Sequence, residues 1–595
     1  MGAVAGWVAG RNAPDEAALL PALDALGHRG ACGEGICAVR TESGRRVVLG
    51  QPFVDEQAGI AVALDGAIAN RDELRSRLAA RGHGFAENSA AETLARAYAH
   101  WDKDVVHHLR GGFAFALWDG AKERLMLARD RLGEKPLHLC EQRDTIYFAS
   151  QVRAILAMPG VPAQADLEAV REYLEYRYVP GPRTLVRGIR KLAPGSYALW
   201  QFGRLREVRY WFSPDRKPHS RKREAEPVAG FVERLEEAVK LRSPAGVLLS
   251  GGFDSAVLVA MTTRFQERVK TYSAGFADDP ASELGRAAQV AKHFGTEHHE
   301  IVLSPREVIT RLPQAVEQRD APVSRPSDVA LNFIAREAAR SSRAVMTGDG
   351  ADELLGGYRR HVAERYGWLF RSLPTLLMLA TPLASTRPRL QTALASLRTS
   401  DWRTRYVRWV GASGLYAKEA LFPGEKSSSF KSAAHFDADP RASELRRALY
   451  FDQASWLPDH VLERSDRMTM AASLEARAPF LDHRLVEFVS TLPDDLRVRG
   501  LSTKWILRQA ARPLLGKLAP RKGGYGFRAG PWLRGELREF LLEHLRSQRS
   551  LTRAYYETRV LDRALDEHLA GKRDHETLLW TLLSLEIWHR TCLRG

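Results

Sequence analysis

At 595 residues, 45% of them hydrophobic and 27% charged, the chain is too long for one core and has the balance of a globular protein in water. Its net charge of +16 comes from dispersed arginines with no basic block or aromatic-interleaved basic repeat, which excludes a nucleic-acid platform and reads as an arginine-rich solvated surface. No apolar run is long enough to span a membrane, no basic n-region marks a signal peptide, and Cys32, Cys37, Cys140 and Cys592 form no CxxC pair, so a cytoplasmic protein with free thiols is expected, partnered by neither membrane nor nucleic acid.

Residues 1–212 read as short strands closed by turns, with helices between them. IAVALDGAIAN, FAFALWDG, RLMLARDRLG and TIYFAS are apolar or alternating runs ended by Gly, Asp, Asn or Ser. The helical pieces EAALLPALDAL and AETLARAYAHW would cover a face of the paired strands. The stretch SPDRKPHSRKREAE at 213–226 is nearly free of apolar side chains and reads as a linker, so a second domain is expected over 213–595. There the rhythm changes. FVERLEEAVKL leads to AGVLLS, SAVLVAMTTRF to VKTYSAGF, ELGRAAQVAKHFG to HHEIVL, and VALNFIAREAARS to RAVMTGDG. Helices alternating with strands predict a parallel α/β sheet. Beyond about residue 360 helical patterns dominate.

Two loops carry the chemistry. LLSGGFDSAVLVA at 248–260 is a strand, a glycine loop and a helix. Glycines let backbone approach an anion, and a helix N-terminus offers unpaired N–H groups. Ser250 and Ser255 add hydroxyl donors, whereas Asp254 would repel phosphate unless Mg²⁺ bridges the two. The Walker pattern GxxxxGK[ST] is absent. The plainer alternative is a glycine turn with Asp254 capping the helix. TGDGADELLGGY at 347–358 sets three carboxylates, Asp349, Asp352 and Glu353, at the end of another predicted parallel strand. Packed carboxylates repel one another unless a cation neutralises them, so the two loops could share one metal.

SGGFDS is similar to the pyrophosphate loop of the N-type ATP pyrophosphatases, and with TGDGADELLGGY the chain resembles the asparagine synthetase family nearly end to end. HRG at 28–30, LRGGFAFALWD, ARDRLGEKPL and YVPGPRTLVRGIRKLAPGSY match its N-terminal half; TYSAGF, DRMTMAASLEARAPFLDHR and KWILR match its synthetase half. The resemblance implies a two-domain α/β protein. Residues 1–212 would form an α+β Ntn-hydrolase-like sandwich of the glutamine amidotransferase type, and 213–595 a parallel-sheet ATP pyrophosphatase domain with helical additions. The implied reaction uses ATP and Mg²⁺ to adenylate a carboxylate, releasing pyrophosphate, after which ammonia or an amine attacks to give an amide. Leu249, Ala274, Thr347 and Gly348 would line the nucleotide pocket, and Ser250, Gly251, Gly252, Asp254 and Ser255 would hold pyrophosphate. Asp254 and Asp352 would carry Mg²⁺, Asp349 would take a proton from the attacking amine, and Lys504 would steady the charged states. On residue type alone, Lys504 reads as a solvated helix lysine.

The N-terminal half departs from the family. Its nucleophilic cysteine is replaced by Gly2, which cannot attack an amide. The NGEIYN-type segment reads Asp65-Gly66-Ala67-Ile68-Ala69-Asn70, the SDTE-type segment reads Ser89-Ala90-Ala91-Glu92, and the RRLSIID-type segment is replaced near VVLGQPFVDE. No glutaminase activity is expected of this half. The acceptor segment Asp320–Asp328, with Arg325, and the loop Arg521–Phe527 also differ, so aspartate cannot be assumed as the acceptor. Three readings stay open: a ligase joining a small molecule or peptide carboxylate to ammonia or an amine, a cyclase of the β-lactam or lasso-peptide type, and a silent scaffold. All are compatible with a homodimer.

Overall fold

The computed structural model describes residues 2–593 apart from 11–13, 31–34, 43, 219–225, 277–281, 372–395, 397, 411–420, 422–435, 517 and 519–528. The apolar run at 373–385 and the loop at 521–527 lie outside the described residues.

Among the described residues, twelve strands build the N-terminal half: β1 (Ala5–Ala9), β2 (Ile36–Arg40), β3 (Arg46–Gly50), β4 (Phe53–Asp55), β5 (Ile60–Gly66), β6 (Phe113–Asp119), β7 (Arg124–Arg129), β8 (His138–Gln142), β9 (Thr145–Ala149), β10 (Ile189–Lys191), β11 (Ser196–Gln201) and β12 (Arg204–Arg209). They form two antiparallel sheets, β10-β8-β9-β1-β3-β2 and β12-β11-β7-β6-β5-β4. The side-chain period of two explains the layering. Along β6, Ala114, Ala116 and Trp118 face the other sheet, where they meet Val4, Val8, Val47 and Phe148. Phe113, Phe115 and Leu117 face the opposite way, onto Leu74, Leu78, Leu94 and Tyr98 of the helices Arg71–Ala79 and Ala90–Trp101. Both faces of the strand are buried, so its sequence is continuously apolar.

The C-terminal half is built on a five-stranded parallel sheet, β15-β14-β13-β16-β17. Its strands are β13 (Gly246–Leu248), β14 (Lys270–Phe276), β15 (Glu297–Leu303), β16 (Ala344–Met346) and β17 (Glu475–Arg477). The first four are those predicted. β17 comes from inside the DRMTMAASLEARAPFLDHR segment and pairs in register with β16. Three helical segments run on without a break, Glu444–Phe451, Asp452–Leu462 and Glu463–Met470, and the middle one is wound as a π-helix. Such wide turns are uncommon and cluster at functional sites. Among the described residues no helix is long and apolar enough to cross a membrane, and Cys37, Cys140 and Cys592 are free thiols.

Two expectations are corrected here. The stretch read as a linker begins docked, because Ser213 and Asp215 are buried and Asp215 accepts hydrogen bonds from Arg446, Arg497 and Gln453. The arginines are not all surface either: Arg29, Arg319, Arg405, Arg446, Arg467 and Arg497 are fully buried. A planar, weakly hydrated guanidinium tolerates burial where carboxylates meet its fork.

Other buried ion pairs join the two halves. Asp482 accepts from Arg110 of the N-terminal half at 3.0 Å and from Arg242 at 3.3 Å, while Lys191 bridges Asp459 at 3.1 Å and Glu463 at 3.0 Å. Burial works to raise the Asp482 pKa, but Arg242 and Arg110 outweigh it and hold the carboxyl at about 2. A depressed carboxylate contributes stability that is full above its unfolded pKa of 3.8 and is lost as pH falls through about 2. On the order of 2 kcal/mol should therefore disappear across that window. Acid unfolding followed by circular dichroism should show a shallower limb between pH 4 and 2 in Asp482→Asn. An identical slope would show that the interface does not depend on this charge.

Candidate functional site

β13 ends at Leu248, and the helix Phe253–Thr262 begins within one glycine turn. Gly251 has φ +70, and a β-carbon there would lie 2.8 Å from the Glu283 carbonyl, so only glycine fits. Inside the loop the Ser250 N–H donates to the Ser255 Oγ at 3.3 Å, the Gly252 N–H to the Ser250 Oγ at 3.2 Å, and the Ser255 hydroxyl to the Gly252 carbonyl at 3.1 Å. Neighbouring backbone pins the loop's entry. Leu249 N–H donates to the Tyr272 carbonyl at 2.8 Å, the Ser273 hydroxyl donates to the Leu249 carbonyl, and Ala274 is buried one residue further along β14.

The second loop lies alongside. A β-carbon on Gly348 would sit 3.1 Å from the Asp254 Cβ, so this glycine lets the loops touch. Thr347 N–H donates to the Arg477 carbonyl at 2.9 Å, which makes β17 the brace of this loop. Gly350 has φ +86 and leads into the helix Ala351–Leu355.

Lys504 connects the two loops. It is 4% exposed, its backbone is left-handed at φ +52, and it caps the helix Trp505–Leu515. Its ammonium lies 2.6 Å from Asp254 Oδ2 and 2.9 Å from Asp352 Oδ1. The solvated helix lysine is thus overturned by the geometry. Burial acts to discharge the ammonium, but Asp254 and then Asp352 more than offset it and hold the pKa well above that of an ordinary lysine. Gly357 packs directly against Asp352 and Lys504, leaving no room for a β-carbon.

The three acidic residues of the second loop part ways. Only Asp352 converges with Asp254. Glu353 is buried, accepts the Tyr358 hydroxyl at 2.5 Å, and is pushed up to about 7 by burial and then by Asp352. Asp349 accepts from the Thr347 hydroxyl at 2.8 Å and the Ser465 hydroxyl at 2.6 Å, with Arg464 3.6 Å away. The three carboxylates, close in sequence, are therefore held apart by different partners. Ser465 and Arg464, the two residues before the DRMTMA segment, were missed from sequence, where nothing in their spacing marks them. Asp328 is buried between Arg319 at 3.0 Å and Arg464 at 3.8 Å, and Arg325 stands exposed at the start of the helix Pro326–Ala339.

Asp254 and Asp352 fit a divalent ion. One ammonium spans both, and two hard carboxylate oxygens plus phosphates and water form the usual Mg²⁺ set. The described residues hold no cluster of three or more ligating side chains, so phosphate would have to complete the sphere.

A β-carbon on Gly2 would collide with the Leu64 carbonyl. Asp65 is fully buried, pairs with Arg29 at 2.9 Å, and accepts the Ser150 hydroxyl at 2.7 Å. Ser89 caps the helix Ala90–Trp101 by accepting the Glu92 N–H, and Glu92 is buried accepting the Glu87 N–H at 2.9 Å. Asn70 bonds the backbone at His108 and Arg110. Each group serves the fold.

The sequence matches the family described as Asparagine synthase over residues 230–590 and that described as Glutamine amidotransferase domain over residues 1–211. It is 31% identical to Asparagine synthetase (glutamine-hydrolyzing) 1 of Bacillus subtilis, over 91% of this chain and 87% of that protein. Against Asparagine synthetase (glutamine-hydrolyzing) 3 of the same organism it is 29% identical, over 81% of this chain and 76% of that protein. It is also 27% identical to Amidase chyE of Penicillium rubens, over 84% of this chain and 83% of that protein.

Proposed function

This chain belongs to the asparagine synthetase family, ATP-dependent ligases that form carbon–nitrogen bonds, and from that premise we propose that it activates a carboxylate by adenylation and transfers the acyl group to ammonia or to an amine without hydrolysing glutamine. The observation that carries this reading is Lys504 held between Asp254 and Asp352. When bound, Mg²⁺ would neutralise phosphate charge beside these two carboxylates. Ser250, Gly252 and Ser255 would orient the pyrophosphate through the loop N–H groups and hydroxyls, and Leu249, Ala274, Thr347 and Gly348 would wall the nucleotide. Lys504 would stabilise charge that collects on phosphate and carbonyl oxygens. Asp349, steadied by two hydroxyls, would take the proton that the attacking nitrogen must shed.

Asp65 supports the absence of glutaminase chemistry. A tetrahedral oxyanion needs neutral or positive donors, and a carboxylate in that position would repel it. The collision at Gly2 adds a steric bar. A substrate that carries its own amine, and so cyclises, is a second reading favoured by the same loss.

Carboxylic acids screened with ammonium, with glutamine, or with no added amine should release AMP and pyrophosphate for the true acceptor. ADP and phosphate would overturn the adenylation reading. No glutamate should form from glutamine, and Gly2→Cys should not restore it, because the new side chain meets the Leu64 carbonyl and Asp65 remains. Measurable glutaminase turnover in Gly2→Cys would show that the pocket had lost only its nucleophile.

A further inference from the structure

Four ionisable groups are buried together around Asp65, at the contact between the two halves. The Arg29 guanidinium reaches Asp466 at 2.8 and 3.2 Å and Asp65 at 2.9 Å, and the Lys135 ammonium reaches Asp466 at 2.8 Å. None of the four is more than 3% exposed. Two cations balance two carboxylates, and the partners are delivered deliberately. Asp130 gathers the backbone N–H groups of Leu132, Gly133, Glu134 and Lys135, fixing the turn that carries Lys135 inward. Ser150 holds Asp65 while accepting the Val4 N–H at 2.9 Å. Burying such a quartet adds little net stability over apolar packing, yet losing one member leaves an uncompensated charge. Its use is to fix geometry.

The geometry it fixes belongs to the other half. Asp466 lies on the helix Glu463–Met470, next to Ser465 and Arg464, which contact Asp349. Successive helical residues point about 100° apart, so one turn grips the N-terminal half through Asp466, Asp349 through Ser465, and both Asp328 and Asp349 through Arg464. The helix cannot rotate or slide without breaking one of these contacts. Its far end is also tied: Asn332 donates to the Met468 carbonyl at 3.2 Å, and Ser473 to the His28 carbonyl at 2.9 Å.

We propose that the Arg29–Asp65–Lys135–Asp466 cluster is a positioning device for the synthetase reaction, setting the helix Glu463–Met470 so that Ser465 orients Asp349 toward the attacking amine. The N-terminal half thereby acts on the amide-forming step as a rigid support. This rests on the role proposed above for Asp349.

Lys135→Met and Ser465→Ala test it through two half-reactions. Acceptor-dependent pyrophosphate exchange reads activation, which depends on Asp254, Asp352 and Lys504; single-turnover amide formation reads transfer. Both variants should keep exchange near the unmodified rate while amide formation falls about tenfold, the scale of a slightly misplaced catalytic group. Ser465→Thr, which keeps the hydroxyl, should recover most of the loss. Amide hydrogen exchange measures the same coupling without turnover: Lys135→Met should speed exchange at 347–350 and leave 249–255 unchanged. Equal losses in both half-reactions, or unchanged exchange at 347–350, overturns the proposal. Coupling at 347–350 in a protein that gives no pyrophosphate exchange upholds the support and strikes the adenylation reading instead.

Discussion

Lys504→Met is expected to lower turnover by about 10²–10³-fold while leaving ATP affinity within a few-fold of its original value. The ammonium sits between Asp254 and Asp352, beside the loop expected to hold pyrophosphate, and charge on the reacting oxygens grows only toward the transition state. A contact realised there is lost from the rate rather than from binding. The geometry adds a second expectation. With the ammonium gone, the two carboxylates face each other without a counter-ion, so the variant should be less stable when free and should bind a divalent ion no more weakly than the original. Lys504→Arg should not substitute, because Gly357 leaves no space for a wider fork. Single-turnover amide formation beside titrations of ATP and Mg²⁺ reads all of this. Turnover close to the original in Lys504→Met would remove the residue from the chemistry.

Asp254→Asn and Asp352→Asn should each reduce AMP and pyrophosphate formation on the order of 10³-fold, since losing half of a divalent-ion site forfeits several kcal/mol of charge stabilisation. Each amide keeps the size of the carboxylate it replaces and leaves Lys504 one remaining partner, so folding should survive and a thermal melt should move by only a few degrees. Calorimetric titration should show Mg²⁺ affinity falling in parallel. Intact Mg²⁺ binding in both variants would move the ion elsewhere and leave these carboxylates as anchors for Lys504 alone.

The loops were legible because their information is local. A strand, two glycines and a helix lie within a dozen residues, and the alternation along FAFALWDG shows directly which side chains face which layer. What sequence could not give is what lies far apart in the chain. Lys504 reads as solvated until the fold brings it across 250 residues to Asp254, and Arg29 meets Asp466 across 437. β17 is three residues long, too short for periodicity, and exists because β16 offers it an edge. The split of Asp349, Asp352 and Glu353 is decided by Ser465, Lys504 and Tyr358, partners that no spacing rule names. The departures at Gly2, Asp65 and Ser89 were visible in the sequence, whereas the ion pairs that join Asp65 to Arg29, Lys135 and Asp466 in one cluster needed coordinates.

The wide helical turns at Asp452–Leu462 have a consequence for chain length. A helix that changes from ordinary to wide winding and back sets the direction of everything after it, and each residue added or removed turns the following side chains by about 100°. Removing one residue ahead of Glu463 would swing Arg464, Ser465 and Asp466 away from Asp349 and from the N-terminal half together. Exchange of one side chain for another in this stretch disturbs that residue's own contacts, but a change of length disturbs those of every residue after it. The constraint is on counting as well as on identity: the buried partners of Asp452 and Asp459 fix residue types, and the register fixes the length.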